Sequence, residues 1–235
     1  AMNRLSKNIE NCDVSSLIII SPHTSLHPQE MTISFNDSAY GDFTQFDEPN
    51  IRIKKEIDTV LAENIHKYSK KLQISSRLLS HNKYFYIDHG VLVPLYYLEK
   101  SLTSNCEIVI IGYSDLSRDK HFVFGKALAK AIDESEKNIA VIASGDLSHR
   151  LLENGSEFVG EVFDKKIVTA VADNKLASIN NIESDLQEEA GECGYRSLMI
   201  LAGVLDTIKT KAKVISYEAP FGVGYMIADF QVSQE

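Results

Sequence analysis

Four segments of this chain set scarce reactive side chains directly after apolar runs. Ser21-Pro22-His23 follows Leu17–Ile20, and Asp88-His89-Gly90 follows Tyr84–Ile87. Ser144-Gly145-Asp146-Leu147-Ser148-His149 follows Ile139–Ala143, and Tyr217-Glu218-Ala219-Pro220-Phe221-Gly222 follows Val214-Ile215. In an open α/β sheet, ligands collect outside the carboxyl ends of the strands, where turns present polar groups from a rigid base. Three imidazoles and a carboxylate brought to one such edge suit metal-assisted or acid–base chemistry.

Each of these residues also has a plainer role open to it. His23, fixed in direction by Pro22, is alone compatible with an ordinary hydrogen-bonding turn residue, and His27 with a surface position. Asp88 is placed either to orient an imidazole or to cap a helix, with His89 its first residue. His149 ends a run whose small residues permit a sharp exit from a strand, and Asp146 or Ser148 could cap the next turn. Ser148 does not read as a nucleophile, because neighbouring residues rarely face each other and no Gly-x-Ser-x-Gly elbow is present. Glu218 sits in an apolar setting, where a carboxylate needs a metal, a lysine or backbone amides. Glu192 and Cys193, before Gly194, read as a helix start rather than a site.

The elements that must position these residues follow from patterning. Continuous β-branched runs at Leu17–Ile20, Glu107–Gly112 and Ile139–Ser144 predict buried strands, joined by shorter ones at Thr32–Phe35 and Tyr84–Ile87. Asn36–Asn50 reads as a loop. Apolar residues from Ile53 to Tyr68 recur at helical spacing and predict one helix over about Ile51–Leu72. Further helices are expected at Val91–Glu99, with Pro94 in its first turn, and at Phe122–Ile132, Phe158–Ala172 and Gly194–Ile208. Lys213–Tyr217 and Gly224–Phe230 read as a closing antiparallel hairpin. Alternating strands and helices predict a layered α/β sandwich with a mixed, mostly parallel sheet. A single domain over residues 2–235 is the simplest organisation, with Ala1 read as a tag remnant.

Composition narrows the function. The 235 residues carry a formal charge of −9, which argues against binding a phosphate backbone. The basic runs Arg52–Lys55 and Lys67–Lys71 are local and suit the wet faces of helices. No apolar stretch reaches the ~20 residues of a membrane span, and no secretory h-region is visible. Three cysteines without Cys-x-x-Cys spacing argue against a disulfide framework or a multi-thiolate zinc site, so a cytoplasmic location is expected.

Taken together, Ile-Ile-Ile-Ser-Pro-His, Gly-Asp-Phe-x-x-Phe (Gly41–Phe46), Asp-His-Gly-x-x-Val-Pro-Leu (Asp88–Leu95), Ser-Gly-Asp-Leu-Ser-His and Tyr-Glu-Ala-Pro-Phe-Gly-x-Gly-Tyr resemble the class III extradiol ring-cleavage dioxygenases. Within them the chain is most similar to LigB-like domains of the AmmeMemoRadiSam type, over about Leu17–Phe230. The resemblance implies non-heme Fe(II), a catechol-type aromatic substrate and dioxygen. It makes His23 and Glu218 metal ligands and His149 the acid–base histidine. It makes His89, backed by Asp88, a catalytic histidine in contact with substrate. It also implies a further ligating histidine from an upstream Pro-His segment, and no histidine precedes His23. A zinc-dependent hydrolase or lyase and a metal-poor binding protein on the same fold stay open beside it. No nucleic acid or membrane partner is expected, and homodimerisation is left open.

Overall fold

The apolar runs assemble into a central sheet whose two faces carry separate cores. The computed structural model describes residues 1–10, 12–81, 83–152 and 157–233; the expected domain end at 235 lies outside them. In chain order the first half comprises α1 (Met2–Glu10), β1 (Ser16–Ser21), β2 (Met31–Ser34), β3 (Ser38–Phe43), β4 (Glu48–Glu56), α2 (Thr59–Lys71), β5 (Ser76–Leu79), β6 (Phe85–Tyr86) and α3 (His89–Leu98). The second half comprises β7 (Glu107–Gly112), α4 (Arg118–Asp133), β8 (Ile139–Ala143), α5 (Glu157–Ala172), α6 (Ser184–Ala190), α7 (Tyr195–Leu205), β9 (Thr210–Glu218) and β10 (Tyr225–Val232).

The main sheet has the order β5-β2-β7-β1-β8. Its neighbours run parallel except β2 and β7, which pair antiparallel. This is the mixed, mostly parallel sheet expected. Side chains on β1 and β7 alternate between the two faces, as a strand's period of two requires. Ile18, Ile20, Val109 and Ile111 pack with Leu61, Ile65, Phe124 and Leu128 of α2 and α4. Leu17, Ile19, Ile108 and Ile110 pack with Phe85, Val91, Leu92 and Leu95 around α3. All these are essentially inaccessible to solvent, and each contributes about 1.5–3 kcal/mol of transfer free energy. A third core joins α5 and α7 to the β9–β10 hairpin through Phe163, Ile167, Leu198 and Met199.

The structure corrects several expectations. Residues 36–50 are largely not loop: β3 and β4 pair antiparallel and form a second sheet with β6. The expected helix at Ile51–Leu72 therefore begins only at Thr59, where the Asp58 side chain accepts the Leu61 amide. Ile53 and Ile57, four residues apart, satisfy both a helical and a strand period. Consequently the basic run Arg52–Lys55 lies on a strand. Pro94 is inside α3 rather than in its first turn. It cannot donate to the Gly90 carbonyl one turn back, and Ser144 Oγ donates to that carbonyl instead, at 2.6 Å. This bond ties the start of α3 to the exit of β8.

Candidate active site

Parallel strands β1 and β8 release their chains at the same edge, and α3 begins beside them. After β1, Ser21 Oγ donates to Asp88 Oδ1 at 2.7 Å, and the His23 amide donates back to Ser21 Oγ. Asp88 is buried and caps α3 through the Gly90 amide, at 2.8 Å. The capping reading of Asp88 holds; its carboxylate makes no hydrogen bond to an imidazole among the described residues, and acts on His23 through its charge. The His23 and His89 rings stack with centroids 4.2 Å apart. Burial and the neighbouring His89 hold His23 below its ordinary value, against the opposing pull of Asp88 and Asp146. Phe46, half exposed, sets its ring edge-on to His89 at 6.1 Å.

The β8 exit contributes the second half. Gly145 takes φ +141°, a conformation only glycine adopts readily. A Cβ at Gly145 would stand 2.5 Å from the Cα of Gly194. That close approach lays the segment before α7 across the turn. The Asp146 amide donates to Cys193 Sγ at 3.1 Å, while the Asp146 carbonyl accepts from the Gly194 amide at 2.8 Å. His149 Nε2 then lies 3.4 Å from Asp146 Oδ2 and 3.8 Å from Cys193 Sγ. The ligating atoms of Asp146, His149 and Cys193 all fall within 4.8 Å of one another, and no other such metal-capable group occurs among the described residues. Carboxylate and sulfur approach the same imidazole nitrogen, an arrangement that could hold a metal ion and lacks the serial relay of a nucleophilic triad. Burial pushes the Cys193 thiol up to about 11, so without a cation it stays protonated. Glu192, also pushed up by burial, accepts the Tyr195 amide at the start of α7.

His23, His89 with Asp88, and His149 therefore gather at one edge. His23 is close enough for Asp146 and His149 to act on its charge. Glu218 is not in the metal-capable group. It is exposed at the end of β9 and lines a groove of about 420 Å³ with Tyr97, Ser216, Pro220 and Tyr225. Burial raises the Tyr225 phenol, and the charge of Asp146 adds to the shift. His27 instead lies beside Glu30, at 3.7 Å. Ser148 is buried and donates to the Ala190 carbonyl, which removes it as a nucleophile. Sequence reasoning passed over Asp146 and Cys193 as metal donors. The available signal was a thiol between Glu192 and Gly194, with Asp146 likewise next to a glycine, Gly145.

Known proteins agree with this architecture. The family described as the catalytic LigB subunit of aromatic ring-opening dioxygenase matches residues 2–228. The chain belongs to this family. It is 34% identical over 230 residues to Protein CA_C1420 of Clostridium acetobutylicum, a match covering 94% of this chain. The chain spans about half of that relative, 49% of its length. The crystal structure of the uncharacterized protein JW3007 from Escherichia coli K12 superimposes with a TM-score of 0.65 at 15% identity, covering 98% of this chain and 92% of the other. At that identity the likeness shows the fold alone. No helix among the described residues is long and apolar enough to cross a membrane.

Proposed function

We propose that this LigB-family chain is a metal-dependent, extradiol-type ring-cleavage enzyme whose Fe(II) is held by Asp146, His149 and Cys193. The observation that carries the reading is the convergence of these three donors at the sheet edge, beside His23 and His89. The donor chemistry fits a divalent cation. Carboxylate and thiolate together neutralise it, and coordination would draw the proton off a thiol that burial otherwise keeps protonated. When bound, such an ion supplies Lewis acidity and a template on which a catecholate and dioxygen meet.

The chain's own residues do the rest. His23, held low, is uncharged near neutral pH and can accept a phenolic proton on a ring nitrogen. His149, facing both Asp146 and Cys193, serves as a ligand. These roles reverse those the family resemblance implies. His89, fixed by its stack on His23, and the exposed ring of Phe46 offer planar surfaces to an aromatic substrate. Ring cleavage then breaks one carbon–carbon bond and leaves both atoms of dioxygen in the product. The three cysteines are free, in keeping with the cytoplasm as the place of action.

A second reading rests on Cys193. A thiolate in the donor set suits zinc, and a zinc-dependent hydrolase or lyase would use the same pocket. Anaerobic loading with Fe(II) or Zn(II), followed by oxygen-uptake assays on a catechol panel, separates the two. Uptake with the Fe(II) form alone supports the dioxygenase. Tight zinc binding with no uptake under any loading contradicts it.

A further inference from the structure

Beneath the Asp146–His149 turn lies a carboxylate that the chemistry above does not use. Asp164 of α5 is about 1% exposed. Its Oδ1 accepts the Ser148 amide at 2.8 Å, and its Oδ2 accepts the Tyr217 hydroxyl at 2.7 Å. A buried charge is retained only where bonds hold it, and both bonds here go to segments that frame the site. Ser148 immediately precedes His149, and Tyr217 precedes Glu218 on β9.

The surroundings are built around this contact. The Leu147 amide donates to the Gly224 carbonyl, and the Gly224 amide donates to the Ser148 carbonyl. A Cβ at Gly224 would collide with Asp164 Oδ2, so glycine is needed for the hairpin to close over the carboxylate. The His149 amide and Ser148 Oγ both bond the Ala190 carbonyl. Burial raises both Asp164 and Tyr217, while the bonds from the Ser148 amide and the Tyr217 hydroxyl oppose the shift at Asp164.

We infer that Asp164 and Tyr217 form a positioning pair that sets the direction of the His149 imidazole by holding the Ser148 amide. Its consequence for metal binding rests on the reading of Asp146, His149 and Cys193 as ligands. Tyr217→Phe removes one hydroxyl and leaves Oδ2 without a donor. Asp164→Ala removes the acceptor that holds the Ser148 amide.

The test compares both variants with Phe163→Leu, a cavity control on the same helix, by thermal unfolding, Co(II) titration and the side-chain NMR signals of His149 in metal-free protein. Both variants are expected to move the His149 signals and to weaken Co(II) binding about tenfold, the lower end for residues that orient ligands. The control is expected to lose thermal stability without moving the signals. Signals and Co(II) affinity unchanged in Tyr217→Phe and Asp164→Ala would overturn the inference. If the wild type binds no Co(II) while the signals still move, the metal reading fails and the positioning pair stands.

Discussion

The two ends of strand β1 are built alike and finished differently. At its start, buried Ser16 donates to buried Asp58, which caps α2 through the Leu61 amide. At its finish, buried Ser21 donates to buried Asp88, which caps α3 through the Gly90 amide. Asp58 has both oxygens engaged, because Lys137 Nζ reaches Oδ2 at 2.8 Å while also pairing with Glu107. Asp88 Oδ2 is buried with no hydrogen-bond partner among the described residues. A polar network completed by its own chain is structural, whereas one left incomplete at a strand's carboxyl edge is prepared for something the chain does not supply. The same contrast separates Lys137, which closes its network, from Asp146, His149 and Cys193, which converge on one another with no lysine paired to them among the described residues.

Stability measurements break or sharpen this comparison. Asp58→Ala is expected to cost about 2–3 kcal/mol, since it removes a cap and strands Ser16 and Lys137. The partial exposure of Lys137 keeps the loss below that of a fully buried pair. Asp88→Ala also removes a cap and strands buried Ser21, but it strands no lysine and its second oxygen is already uncompensated, so it is expected to cost less, about 1–2 kcal/mol. Urea unfolding reads both, and equal losses would refute the asymmetry. Asp88→Asn places an amide at the unpartnered position and is expected to leave stability within about 0.5 kcal/mol. It should nonetheless lower ligand or substrate affinity; Asp58→Asn should not.

The pH dependence follows from the low-held histidines. His23, His66 and His121 are all lowered by burial from 6.5. Below that value the unfolded chain binds protons that the folded chain refuses. Stability is therefore full above about 6.5 and falls as pH drops toward the folded values, where the loss levels off. Denaturant midpoints are expected to be lower at about pH 5 than at about pH 8, with the difference reduced in His23→Gln. A difference unchanged by that substitution would remove His23 from the account.

The smallest effect tests the bond between β8 and α3. Ser144→Ala should cost about 1 kcal/mol in the wild type. With Pro94→Ala already present, the new amide can take the Gly90 carbonyl, and the same substitution should cost less. Additive losses in the double-mutant cycle would show that Ser144 does not replace the missing helix bond.

The sequence carried different parts of this molecule with different clarity. Leu17–Ile20 and Glu107–Gly112 were legible because strands buried on both faces must be apolar throughout. The β3–β4 hairpin was hidden, since its polar, partly exposed residues resemble a loop and Ile53 and Ile57 fit a helix equally well. His23, His89 and His149 stood out because each follows a core strand. Cys193 follows no strand; only the contact between Gly145 and Gly194, far apart in sequence, brings it to Asp146. Glu218 was set with the histidines on the same logic; β9 pairs with β10 in a sheet of its own, and Glu218 lies exposed at its end.

Anaerobic Co(II) titration of the wild type, Cys193→Ala, His149→Ala and Glu218→Gln tests the central claim most directly. The account predicts one Co(II) per chain with a thiolate charge-transfer band. Cys193→Ala should lose the band, and it and His149→Ala should lose at least ~100-fold in affinity, at or beyond the 10–100-fold typical of residues that merely orient ligands. Glu218→Gln should bind as the wild type does. Loss of Co(II) in Glu218→Gln, with Cys193→Ala unaffected, would contradict it.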